Sequence, residues 1–204
     1  FFFFFYIAQA TLVIGNSGRG VLTLQDNASI TQRLYVGNNS GSFGAIYQNG
    51  GTMHNWGGSA SDPRIGMNGY GYYELNSGTF TNNGYTQLGC YYTGVGILKQ
   101  TGGAFKMGSR YGGQLGISRG GTGVVYTAGG TFPTSAGVNV GEESDFGLIR
   151  GFAEFTVDGR ADVNINGNIN VVTGSANSLQ GSANIISGSG NTQIGNSTTI
   201  IGNL

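Results

Sequence analysis

A hydrophobic residue followed by glycine recurs along this chain at Ile14-Gly15, Val36-Gly37, Ile65-Gly66, Leu88-Gly89, Leu115-Gly116 and Val140-Gly141. The intervals, about 22 to about 29 residues, lie within the span of stacked structural repeats. Five to seven residues after each pair a second glycine opens a strand-like run. These runs are Gly20-VLTL, Gly44-AIYQNGGTM, Gly71-YYELNSGTF, Gly96-ILKQTGGAF, Gly123-VVYTAGGTF and a weaker one at Gly147-LIRGFAEF. Four of them continue into a small pair, Gly50-Gly51, Ser77-Gly78, Gly102-Gly103 or Gly129-Gly130. After the pair come Thr or Ala and then Met53, Phe80, Phe105 or Phe132.

The spacing carries a physical reading. Ile46, Tyr73, Leu98 and Val125 hold one equivalent position, and Gln48, Leu75, Gln100 and Thr127 the position two residues on. With the period-two alternation of a strand, both positions share a face. The small pair admits positive φ and turns a corner before a second short strand carrying the Met or Phe. One such coil cannot bury its apolar face alone, whereas stacked coils build a continuous core. Gln48 and Gln100 predict side-chain amide ladders inside the stack, with solvent-facing amides as the alternative. The stretches 55–64 and 106–113 vary in length between anchors and are expected to bulge as loops.

Composition supports order. Glycine supplies 41 of 204 residues and charged residues only 9%, against about 25% in an ordinary domain. Disorder goes with few aromatics and high net charge, but here there are 12 Phe and 11 Tyr and no net charge. The balance of nine basic and nine acidic residues gives no electrostatic footprint for nucleic acid or an anionic membrane. A lone Cys90 rules out an intramolecular disulfide and a multi-cysteine metal site. His54, in what reads as a polar loop, and Cys90, inside a repeat, are not expected to meet as base and nucleophile.

The two ends differ from the middle. Residues 1–10, FFFFFYIAQA, read either as the rear of a signal peptide ending in a small-x-small site or as an apolar cap on the first coil. Ten residues are too few for a membrane-spanning helix. Residues 11–157 form the repeat region. Residues 158–204 are rich in Asn, Gly, Ser and Ile, and Val163, Ile165, Ile169 and Val171 alternate with polar residues. That stretch reads as narrower coils or as an assembly-competent tail.

The closest copies, Val36-Gly37-NNSGSF-Gly44-AIYQNGG-Thr52 and Leu88-Gly89-CYYTGV-Gly96-ILKQTGG-Ala104, resemble the repeat of autotransporter (type V secretion) passengers and PEP-CTERM surface proteins. The likeness covers about residues 13–157. It implies an all-β, right-handed parallel β-helix of about six degenerate repeats at a bacterial cell surface. The first copy departs by placing Asp26-Asn27 where the others have the small pair, and the last lacks the pair. The motif consists of turn and core positions, so the resemblance implies an architecture and no activity.

Candidates for chemistry are few. Glu142, Glu143 and Asp145 form the one acid cluster, a weak calcium candidate in an oxygen-rich turn, with a solvated loop as the preferred reading. Asp158 and Asp162 lie more loosely near Arg160. Polysaccharide lyase or hydrolase action would need paired carboxylates or acids with a basic partner, and no such set stands out. No cofactor motif is present. Tyr70, Tyr72, Tyr85, Tyr91, Tyr92 and Tyr111 lie in or beside the links, and stacking would gather equivalent tyrosines into a stripe. Such a stripe suits sugar rings or protein partners, or else stiffens the rod. The expectation is a non-catalytic, secreted or surface-located structural or adhesive module. Its expected partners are other copies of itself or other surface proteins, with polysaccharide as the alternative, and neither nucleic acid nor a membrane span.

Overall fold

The computed structural model describes residues 10–55, 62–108, 114–118 and 120–134, with side chains given to residue 132. Beyond these it describes the strand backbones 137–140, 150–157, 162–165, 169–172, 180–187, 191–194 and 198–201. All the elements among the described residues are strands. They are β1 (Thr11–Ile14), β2 (Arg19–Thr31), β3 (Arg33–Val36), β4 (Phe43–Asn55), β5 (Arg64–Ile65), β6 (Tyr70–Asn82) and β7 (Thr86–Leu88). There follow β8 (Val95–Gln100), β9 (Ala104–Met107), β10 (Gln114–Ile117), β11 (Thr122–Thr127), β12 (Thr131–Thr134) and β13 (Gly137–Val140). The last six are β14 (Arg150–Val157), β15 (Asp162–Ile165), β16 (Ile169–Val172), β17 (Gln180–Ser187), β18 (Asn191–Ile194) and β19 (Thr198–Ile201).

The chain winds as a β-solenoid. One parallel sheet stacks β1-β3-β5-β7-β10-β13-β16-β19, and a second stacks the remaining strands. Each coil gives one short strand to the first sheet, turns, and lays down a longer segment in the second. A glycine corner divides that segment into two limbs, so that residues 70–75 of β6 pair with β8 and residues 79–82 with β9.

Register confirms the equivalent positions read from the sequence. Ile46, Tyr73, Leu98 and Val125 are stacked partners, as are Gln48, Leu75, Gln100 and Thr127. All eight are fully buried. Met53 pairs with Phe80 and Phe80 with Phe105. The rings of Phe80, Phe105 and Phe132 stack at 4.7 and 4.9 Å, a column through the core. The second residue of each small pair has positive φ, 65° at Gly51 and 83° at Gly78. A Cβ at Gly78 would lie 2.4 Å from the Gly51 carbonyl oxygen of the coil beneath, so this corner needs glycine both for its dihedral and for its room. In the first coil Asp26 takes this left-handed conformation (φ 54°), with an irregularity in register between Asp26 and Ser29.

One anchor and one run opening differ from the sequence reading. Leu88 stacks on Ile117, not on Leu115. The fifth anchor is therefore Ile117-Ser118, and Ser118 takes the positive φ (64°) that Gly89 has in the coil before. The Ser118 hydroxyl donates to the Gly121 carbonyl at 2.6 Å, a local bond that holds this conformation without glycine. In the next coil Ala153, not Gly147, stands opposite Gly123. His54 is also not in a loop, since β4 runs through it to Asn55.

Corrected register exposes a longer unit. Along the stacked anchors Ile14, Val36, Ile65, Leu88, Ile117 and Val140, a shorter interval alternates with a longer one. The step from Val36 to Leu88 is equal in length to the step from Leu88 to Val140. The structural repeat is a pair of coils, one with short links and one with longer links at two corners. Val140 then stacks on Val171 and Val171 on Ile200, at more even intervals.

Candidate functional site

The residues of the second sheet that point away from the core form columns along the rod. One column stacks Arg19, Phe43, Tyr70, Val95 and Thr122. The next stacks Val21, Ala45, Tyr72, Ile97 and Val124, and a third Thr23, Tyr47, Glu74, Lys99 and Tyr126. This outer face is unusually apolar for a solvent-facing surface, and Val21 is 63% exposed on it.

The tyrosines singled out from sequence do not gather into one stripe. Tyr70 and Tyr72 lie within β6 on neighbouring columns. Tyr70 stacks on Phe43 at 5.1 Å with the rings nearly parallel. Tyr72 is tilted against Tyr47 at 5.8 Å and donates its hydroxyl to Glu74 Oε2 at 2.9 Å. Burial and then the Glu74 carboxylate push the Tyr72 phenol well above its ordinary range. Glu74 also pairs with Lys99 at 3.0 Å. Tyr85 is half-buried in the link from β6 to β7. Tyr91 lies on the link after β7, where Arg64 Nη1 donates to its hydroxyl at 3.5 Å. Tyr92, on the same link, is 49% exposed. Tyr111, Glu142, Glu143, Asp145, Asp158 and Arg160 lie outside the described residues, and of Asp162 only the strand backbone is described.

A groove runs beside the first column, with a volume of about 770 Å³. Its floor is Arg19, Val21, Phe43, Tyr70 and Val95. Its wall comes from the links between the sheets: residues 40–42 in the second coil, Asn68 and Gly69 in the third, and Thr93 in the fourth. Local hydrogen bonding builds that wall. Both longer links close a tight turn, Ser42 N to Asn39 O and Gly94 N to Tyr91 O. Across the coils, Thr93 Oγ1 donates to Asn68 O at 2.6 Å and Asn68 Nδ2 to Asn38 O at 3.4 Å. Within the second coil Ser42 Oγ donates to Asn39 O at 2.6 Å. Arg19 is exposed and, among the described residues, is the single charged side chain lining the groove.

No family model, curated protein or solved structure matches this chain. Function therefore rests on the chain's own geometry. Among the described residues no three His, Cys, Asp or Glu side chains converge as metal ligands. Cys90 is buried and its thiol faces the Gln87 carbonyl at 3.8 Å. It lies at the corner after the first-sheet strand, whereas His54 lies at the end of the second limb, a different corner of the coil. Among the described residues no helix is long and apolar enough to cross a membrane.

Sequence reasoning missed Phe43, Tyr47, Val21 and Arg19 as neighbours of the tyrosines. The signal was available, because each stands one residue off a core position and so faces outward by strand alternation. What hid it was the register between coils, without which outward residues cannot be assigned to columns.

Three cross-coil asparagine pairs were also missed. Asn55 Nδ2 donates to Asn82 Oδ1 at 3.0 Å in the buried corner after the second limb. On the surface Asn38 donates to Asn16 at 2.7 Å and Asn76 to Asn49 at 2.9 Å. The expected glutamine ladder does not form, because Leu75 stands between Gln48 and Gln100.

Proposed function

We propose that this chain is a non-catalytic structural and adhesive module, secreted or held at a bacterial cell surface. The observation that supports this reading best is how the polar side chains inside the rod are used. Gln48, Asn55, Asn82 and Tyr73 are spent on hydrogen bonds within or between coils, which stiffens a stack and ties these groups up as structure. The repeat's resemblance to autotransporter passengers and PEP-CTERM surface proteins supports the surface location. Self-association, or packing against other surface proteins, is the partnership this reading favours.

Negative-stain electron microscopy over a range of concentrations, with and without calcium, tests the reading. Filaments or sheets with a regular repeat are the expected result. Isolated short rods at every concentration would overturn self-assembly. Calcium-dependent assembly would point to Glu142, Glu143 and Asp145.

A second reading, a carbohydrate-binding passenger domain, is favoured by the groove beside Phe43 and Tyr70. An apolar floor with a hydroxyl and amide wall is the usual make-up of a small-ligand site.

A further inference from the structure

We infer that the groove between the inter-sheet links and the Arg19–Phe43–Tyr70–Val95 column binds an extended polysaccharide strand bearing carboxylates, with Arg19 as the counter-ion. This deepens the adhesive reading, on which it rests, by naming what the rod would adhere to.

The shape comes first. The column crosses four coils, and at about 4.8 Å per strand the floor is about 14 Å long, room for a short oligosaccharide lying along the rod. The volume of about 770 Å³ falls within the range of small-ligand clefts.

Hydrogen bonding then separates a glycan from an extended peptide. A peptide bound as an added strand needs a free sheet edge. Here β4 is paired on both sides, by β2 and β6, and β6 likewise by β4 and by β8 and β9. From Phe43 to Val95 the groove therefore offers side chains and link backbone rather than a strand edge. Its apolar floor of Phe43, Tyr70 and Val95 offers van der Waals contact to the C–H groups of sugar rings, while Ser40, the Tyr70 hydroxyl and Thr93 Oγ1 as an acceptor match their hydroxyls.

Charge selects the class of glycan. Among the described residues no acid lines the groove, and its one ionised side chain, Arg19, is exposed at the end of the floor. A guanidinium in that place recognises a carboxylate by paired, charge-assisted hydrogen bonds. A uronate ring stacked near Phe43 would present its carboxylate there.

The test is titration calorimetry of the full chain with oligogalacturonate and with its methyl ester, which keeps the rings and hydroxyls but loses the charge. Oligogalacturonate is expected to bind about tenfold more tightly than the ester, and added salt should narrow the gap. Arg19→Gln, at an exposed position outside the core, should lower the affinity for the acid far more than that for the ester and so close the gap between them. Ser40→Trp, placed on the wall, should abolish both. Circular dichroism of each variant checks that the rod is intact. Equal affinity for acid and ester, or no effect of Arg19→Gln, would overturn the inference, as would no binding of either ligand. Microscopy reads assembly independently, so rods that fail to assemble but bind the acid uphold the groove, and filaments that ignore it overturn the groove alone.

Discussion

Two glutamines at the same place in successive two-coil units are expected to respond in opposite ways to the same substitution. Gln48 and Gln100 are both fully buried. Gln48 donates to the Gly51 and Thr79 carbonyls, each at 3.1 Å, and accepts the Tyr73 hydroxyl at 2.5 Å. Gln100 donates to the Thr131 carbonyl at 2.9 Å and more distantly to Gly103 at 3.4 Å, but its own carbonyl oxygen has no partner. The cause is one residue in the coil above, where Val125 takes the position that Tyr73 holds over Gln48. Leucine fits this column, since Leu24 and Leu75 already occupy it in the first and third coils. Gln48→Leu removes three hydrogen bonds and strands a buried phenol, at about 1 kcal/mol per bond and about 1–3 kcal/mol for the orphan. Apolar burial returns about 1.5–3 kcal/mol, leaving a net loss of about 2 kcal/mol. Gln100→Leu gives up one sound bond and one stretched bond, about 1–1.5 kcal/mol, and relieves an unsatisfied carbonyl worth about 1–3 kcal/mol. With the same apolar gain it should be neutral or stabilising. Urea unfolding followed by circular dichroism measures both, and amide exchange locates the change to coils two to three or four to five. Equal destabilisation by the two substitutions would refute the account of the orphaned carbonyl.

Four further outcomes are expected. Ser118→Gly should change stability by less than about 1 kcal/mol, because relief of the left-handed backbone offsets loss of the Gly121 bond. The reverse change Gly89→Ser should cost more than about 2 kcal/mol in the same unfolding assay, since its Cβ would meet the Thr122 carbonyl oxygen at 2.2 Å. Phe105→Ala removes the middle ring of the core stack and should cost about 3–5 kcal/mol, read as early loss of exchange protection in β8, β9, β11 and β12. Burial raises the phenol of Tyr73 above its ordinary value, and burial with Glu74 raises that of Tyr72. Above about pH 10 the unfolded chain releases these protons while the folded chain retains them. Stability is therefore whole below that pH and falls as pH rises beyond it, and Tyr73→Phe should flatten the fall in urea midpoints measured from about pH 8 to about pH 11.

How much of this was legible in the sequence depended on whether the residues that mark a coil also mark its register. The first four anchors were readable because glycine stands at each corner where a Cβ has no room: a side chain on Gly37 would meet the Tyr70 carbonyl oxygen at 2.3 Å. The fifth was misplaced by two residues because Ser118 replaces glycine there, stabilised by a hydroxyl bond that no spacing rule anticipates. The Leu115-Gly116 pair nearby imitated the motif. The sixth run slipped for the same reason, with Ala153 where earlier coils have glycine. Core positions inside each run were legible because period-two alternation is local. The groove was not, because it is made by neighbours a whole coil apart in the chain, and their alignment depends on link lengths.

Those link lengths follow the two-coil unit. Ser42 and Gly94 stand at the same place in successive units and close equivalent tight turns, while the intervening link at residues 67–69 is two residues shorter. A rod with identical coils would present a smooth corner; one that alternates long and short links presents a wall relieved once every two coils, about every 9.6 Å. That distance is close to the length of a disaccharide in an extended chain, so a polymer lying along the rod would meet one of the longer links at every second sugar. The same alternation governs the interior, where glutamine recurs in the coils with long links and leucine or threonine in those with short ones. Gln48 and Gln100 each donate back to the glycine corner of their own coil and forward to the second limb of the next. Each ties the two coils of a unit together at the level where its longer links emerge.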